Sequence, residues 1–174
     1  MANLHIANPP VAGRVEVSRP PRAGTEVGLY QCLIVSADAS RLQMLSESAL
    51  AAGWEPVPCC DPAAGLAACG VVHLQLAMVD LERATLADYR PLLEKLTSTG
   101  GLLLVVCGKE GDLQEEIFVR QVGAWLYLPG AMEGGQMSVL CTEARTIAER
   151  ARDKSKQSPR GSGSGPGRSK PRRR

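Results

Sequence analysis

Aromatic side chains are scarce in this 174-residue sequence, at 3%: Tyr30, Trp54, Tyr89, Phe118, Trp125 and Tyr127. None falls in the basic C-terminal stretch, so base stacking, and with it sequence-specific reading of nucleic acid, has no platform there. Histidine is rarer still. His5 and His73 have no cysteine or histidine at ligand spacing, which argues against a zinc site and a Ser-His-Asp triad. The six cysteines (Cys32, Cys59, Cys60, Cys69, Cys107, Cys141) lack Cys-x-x-Cys spacing, and several lie in apolar runs. They read as buried free thiols of a reducing cytoplasm rather than a disulfide framework, and the adjacent Cys59 and Cys60 as alternate faces of one strand. The longest apolar run, Leu102 to Cys107, is too short to cross a bilayer, and no charged-then-apolar leader opens the sequence. A cytoplasmic location without membrane insertion is expected. The Gly/Ser run at 161–167 has no strand before it and no helix after it, so it reads as linker rather than phosphate loop.

What is present is unevenly charged. The net charge of +2 divides into +8 on residues 152–174, with nine basic groups and one acid, and −6 on the rest, with eleven basic and seventeen acidic groups. Residues 1–29, with Pro9–Pro10 and Pro20–Pro21 and no sustained period, read as a disordered arm. Residues 152–174 read as a disordered Gly/Ser/Pro-rich basic tail. Such a tail attracts polyanions weakly and in a salt-dependent way, or simply solubilises an acidic body.

Between them, residues 30–151 alternate short apolar runs with helical periodicity. Cys32–Val35 forms a first strand, and Asp38 or Ser40 caps a helix carrying Leu42, Leu45, Ala49 and Ala52 and stopped by Gly53. Glu55–Cys59 is a second strand. Pro56 and Pro58 cannot donate to a ladder, so it belongs at a sheet edge. Asp61–Pro62 opens a short Ala-rich helix through Ala68. A helix over Leu86 to Leu96, with Leu86, Tyr89, Leu93 and Leu96 inward, is weakened by Pro91 unless that residue sits in the first turn. Leu102–Cys107 is the central strand. Asp112 caps a helix with Leu113, Ile117 and Phe118 inward, ended by Gly123. Trp125–Leu128 is the fifth strand, and Gln136–Arg150 the last helix, with Met137, Leu140, Ala144 and Ile147 as its stripe.

The stretch around which the rest is arranged is Leu76–Glu82, an apolar run leading straight into Asp80. A short continuous apolar run reads as a strand buried on both faces, and Asp80 then stands at the sheet's carboxyl edge. Five strands and five helices give an α/β fold, a doubly wound five-stranded parallel sheet. The edge position of strand two sets the order 2-1-3-4-5, which brings the loops of Asp38 and Asp80 together at the switch point. From these residues alone Asp80 is a nucleophile, a ligand or a polar strand end, and Asp38 a cation ligand or a helix cap.

This arrangement resembles the receiver domain of two-component response regulators, a flavodoxin-like three-layer sandwich. The resemblance spans residues 30–151: Leu33–Val35 and its polar turn, Leu76–Leu81, Val105–Gly108, and Gly123–Pro129 in order. It maps the phosphoacceptor onto Asp80. It also implies an acidic metal-binding pair after strand one, where this chain has Ser36 and Ala37 with Asp38 nearby. A hydroxyl at the end of strand four is replaced by Cys107, and a lysine after strand five is missing from Leu128–Ala131. Tyr127 falls where the family keeps a switch aromatic. An aspartyl phosphate needs a metal and neutralising groups around the transferring charge, and removing such groups costs orders of magnitude in rate.

The expectation is therefore a non-enzymatic signalling or adaptor module: a degenerate receiver, or pseudo-receiver, with no cofactor. Mg²⁺ enters only if Asp80 is phosphorylated. The resemblance places the surface for a protein partner or homodimer at residues 112–150, with exposed apolar groups such as Met132 or Val139. One alternative is a phosphorylatable response regulator in a phosphorelay, with Asp80 as acceptor. Another is an accessory protein that binds nucleic acid through its basic tail.

Overall fold

A computed structural model describes residues 30–130 and 133–157. The expected arm at 1–29, the tail beyond 157 and Met132 lie outside the described residues. The chain alternates β1 (Gln31–Val35), α1 (Ala39–Ala51), β2 (Glu55–Cys59), α2 (Pro62–Cys69), β3 (Leu74–Asp80), α3 (Leu86–Thr97), β4 (Leu103–Gly108), α4 (Leu113–Gln121), β5 (Leu126–Pro129) and α5 (Gly134–Gln157). All neighbouring strands are parallel, in the order β2-β1-β3-β4-β5. This is the doubly wound sheet read from the sequence.

The strand alternation builds two cores. Leu33, Val35, Ala77, Val79, Leu104 and Val106 face Leu92, Leu93 and Leu96 of α3 and Val119 of α4. Cys32, Ile34, Leu76, Met78, Val105 and Cys107 face Leu45 and Ala49 of α1 and Met137, Cys141 and Ala144 of α5. Trp54 closes the second core, donating its indole N–H to the Cys141 carbonyl at 2.9 Å. Because both faces are covered, β1, β3 and β4 are continuously apolar.

The prolines of β2 sit where parity allows them. The Glu55 N–H donates to Tyr30 O, and Cys59 O accepts from Ser36 N, so odd-numbered residues pair with β1. Pro56 and Pro58 then present their missing donors to the open edge. Three helices begin on aspartate caps: Asp38 accepts from Ser40 and Arg41 N–H, Asp61 from Ala64 and Asp112 from Glu115. Gly53, at φ 79°, takes the left-handed conformation just past α1.

Four details depart from the sequence reading. Leu113 and Ile117 of α4 are exposed, 68% and 47%, and the inward face is Glu115, Phe118 and Val119. A hydrogen-bonded carboxylate shares that face with the two apolar side chains. In α5 the buried series is Met137, Cys141 and Ala144, with Leu140 half-buried and Ile147 at the exposed margin, because a spacing of four then three keeps one face on the sheet. Helix α3 passes through Pro91 in its second turn, where the ring lies on the solvent side and one helical hydrogen bond is forgone. Helix α5 continues to Gln157, so helix covers the first residues of the segment expected as tail.

Candidate functional site

Strands β1 and β3 end side by side, with Val35 in register with Val79, and their following loops lean together. Asp80 closes β3 and is 3% exposed. Its parity is that of Leu76 and Met78, so it faces the α1 side of the sheet.

Three groups satisfy its carboxylate. The buried Ser36 hydroxyl donates to Oδ2 at 2.7 Å and accepts from the Asp38 N–H at 3.1 Å. The Arg41 Nε donates to the same oxygen at 3.0 Å. The backbone N–H of Glu82 reaches Oδ1 at 3.3 Å. Arg41 also binds Glu82 Oε2 through Nη1 at 2.7 Å, so one guanidinium bridges two carboxylates. Its Nη2 is buried without a hydrogen-bond partner among the described residues.

A second ion pair closes the corner. Arg83 Nη1 lies 2.6 Å from Asp38 Oδ2, while Asp38 Oδ1 caps α1. The Arg41 backbone N–H holds the Asp38 carboxyl below its usual value, helped by Ser40 N–H and by the Arg83 charge. Ala37, on the same turn, has no polar side chain and lines an open cleft of about 390 Å³ with Arg83, Thr85 and Tyr89.

Cys107 is the register partner of Asp80 and shares its face of the sheet. Burial, and then the nearby Asp80 charge, push its thiol up to about 12, so it stays protonated and donates weakly. Tyr127 lies on the opposite face, packed with Val106 and Val119. The structure thus separates Cys107 from Tyr127. The strand-four residue facing Tyr127 is Gly108, one step further on, because successive side chains alternate. The Tyr127 hydroxyl donates to Glu115 Oε1 at 3.0 Å, and burial and that bond both raise its pKa.

Ser36, Asp38 and Asp80 therefore converge, Cys107 stands beside them, and Tyr127 does not join them. Sequence reasoning missed Arg41, Glu82 and Arg83. A signal for Arg41 existed. It is a cation in the first turn of α1, where the helix dipole disfavours positive charge, and so implies a specific acidic partner. Lys109, after β4 rather than β5, is the nearest basic residue in the neighbouring loop, and its ammonium is bonded to Ala84 O at 3.0 Å.

The magnesium ion that the receiver resemblance brings with phosphorylation does not fit these side chains. A divalent cation bound by Asp80 and Glu82 would compete for the same oxygens with a guanidinium between them. Among the described residues, no group of three or more His, Cys, Asp and Glu is placed to hold a metal. Nor, among them, is any helix long and apolar enough to cross a membrane. All six cysteines are free, Cys59 buried and Cys60 exposed.

No family model matches the chain, and no curated protein matches it. Solved structures do. A CheY-like response regulator receiver domain protein from Methanospirillum hungatei JF-1 is 20% identical, with a TM-score of 0.61 over 72% of this chain and 99% of its own. A response regulator receiver domain protein from Clostridium thermocellum is 16% identical, with a TM-score of 0.59 over 71% and 98%. The phosphorylated cyanobacterial phytochrome response regulator RcpA is 12% identical, with a TM-score of 0.56 over 71% and 96%. Together with the strand order and the placement of Asp80, these likenesses show that the chain has the fold of response-regulator receiver domains.

Proposed function

We propose that this chain is a cytoplasmic, non-enzymatic signalling or adaptor module, a pseudo-receiver that binds a protein partner without phosphorylation of Asp80. One observation carries the reading: the Arg41 guanidinium bridges Asp80 and Glu82. Attack on a phosphoryl group requires an available carboxylate oxygen and a cation shared with the incoming phosphate. Here Oδ2 already accepts from Ser36 and Arg41, and Oδ1 from the Glu82 N–H. The fixed cation is spent on Glu82 and cannot follow the transferring charge. The nearest other acid, Asp38, is engaged with Arg83 and with the start of α1. The site is then an ion-paired structural corner, two guanidiniums among three carboxylates, to which the reading assigns no cofactor.

Partner binding is assigned to residues 112–150, the α4–β5–α5 side. Leu113 and Ile117 on α4, Trp125 in the turn before β5 and Val139 on α5 stand exposed, a concentration of apolar groups that suits a protein contact. The six free thiols accord with a reducing compartment.

The test is incubation of the full chain with Mg²⁺ and acetyl phosphate, followed by intact-mass measurement. No phosphoryl adduct is expected on wild type. A stoichiometric adduct that disappears in Asp80→Asn overturns the proposal in favour of a phosphorylatable response regulator.

A further inference from the structure

We infer that Glu115 and Tyr127 form a permanent latch that fixes the start of α4 on the sheet, independently of anything that happens at Asp80. Glu115 is one of four polar or charged residues buried among the described residues, and it plays no part in the Asp80 corner. It sits in the first turn of α4, with its backbone N–H donating to the Asp112 cap at 3.0 Å. Its Oε1 accepts from the Lys109 backbone N–H at 2.9 Å and from the Tyr127 hydroxyl at 3.0 Å. One carboxylate oxygen thereby ties α4, the β4–α4 loop and β5 together.

Gly108 completes the device. A Cβ at that position would stand 2.0 Å from Glu115 Oε1 and 2.4 Å from the Tyr127 ring. The carboxylate and phenol occupy the space that any side chain at the end of β4 would need. The same loop is held from its other side, where the Lys109 ammonium donates to Ala84 O at 3.0 Å. The Arg90 guanidinium of α3 lies 4.4 Å from the centroid of Phe118 on α4.

Turning Tyr127 outward would strip a buried carboxylate of a donor and leave a void beside Gly108, so the inward position is the only well-satisfied one. Leu113 and Ile117, one turn apart on the outer side of α4, are then presented in a single arrangement set at folding. Asp80 faces the other side of the sheet and shares none of these hydrogen bonds. The latch holds whether or not Asp80 accepts phosphate, so the two readings stand or fall separately.

Hydrogen–deuterium exchange of the full chain, resolved by peptide, tests it. In Tyr127→Phe and Glu115→Ala, exchange over residues 109–121 should rise about tenfold while residues 31–80 stay unchanged, the signature of local opening. Glu115→Gln retains the acceptor oxygen and should stay near wild type. Wild type with Mg²⁺ and beryllofluoride should show no change over 109–121. Unchanged exchange in Tyr127→Phe overturns the latch, and so does a beryllofluoride-induced change over 109–121 in wild type. Should Glu115→Ala fail to fold, Tyr127→Phe, which keeps the ring, decides the matter alone.

Discussion

Among the described residues two carboxylates are buried to nearly the same degree, Asp80 at 3% and Glu115 at 2% exposure, and they are satisfied by opposite means. Asp80 is held by a charge, the Arg41 guanidinium, with Ser36 and a backbone N–H in support. Glu115 is held by neutral donors, a backbone N–H and a phenol. The first arrangement closes the ends of β1 and β3 on the α1 side of the sheet, and the second joins α4 to β5 and to the end of β4 on the other face. One is held by a cation of the same chain; the other fills the space beside a glycine.

The difference predicts unequal consequences of breaking each joint. Arg41→Ala leaves Asp80 buried and unpaired, and should destabilise the fold by about 3–5 kcal/mol. Urea unfolding should also show most of that loss recovered in Arg41→Ala/Asp80→Asn, which removes the orphaned charge. Equal midpoints for the single and double variants would break the claim that charge holds this corner. Gly108→Ala drives a methyl into the space of Glu115 Oε1 and Tyr127, and overpacking of this kind costs about 1–3 kcal/mol by the same measurement. Tyr127→Phe removes one hydrogen bond to the Glu115 carboxylate and should cost about 1.5 kcal/mol.

Much of the fold was legible in the sequence because its signals are local. Cys32–Val35 and Leu102–Cys107 are apolar on both faces. Pro56 and Pro58 mark an edge, and Asp38, Asp61 and Asp112 each stand one residue before a helix. The chemistry at the ends of the strands was less legible because it depends on parity and reach. Whether Cys107 or Gly108 faces Tyr127 turns on a single residue of register. The inward face of α4 was misread because its anchor, Glu115, is charged and its partners arrive from β5 and the preceding loop. The partner of Arg41 lies across 39 positions of chain, at the limit of a long side chain. Asp80 was identified at once, since a carboxylate ending an apolar strand is visible in one line of sequence. What neutralises it was not.

The smallest effect expected is in acid. The Asp38 carboxyl is depressed mainly by the Arg41 N–H, and that of Asp61 mainly by the Ala64 N–H. A carboxylate whose folded pKa lies below its unfolded value stabilises the fold above that unfolded value, about 4, and loses the contribution as pH falls through the folded one. Thermal midpoints should therefore fall as the solution is acidified below about pH 4, and less steeply in Asp38→Asn. An Asp38→Asn profile parallel to wild type would mean that Asp38 contributes nothing to stability in acid. The exposed pairs should also weaken in salt, unlike the buried Arg41–Asp80 contact.

Arg41 holds the two carboxylates that a divalent cation at this corner would need. Isothermal titration of the full wild-type chain with Mg²⁺, run beside Asp80→Asn, tests this most directly. Two flat titrations that superimpose are expected. A saturable heat on wild type that vanishes with Asp80→Asn would contradict it.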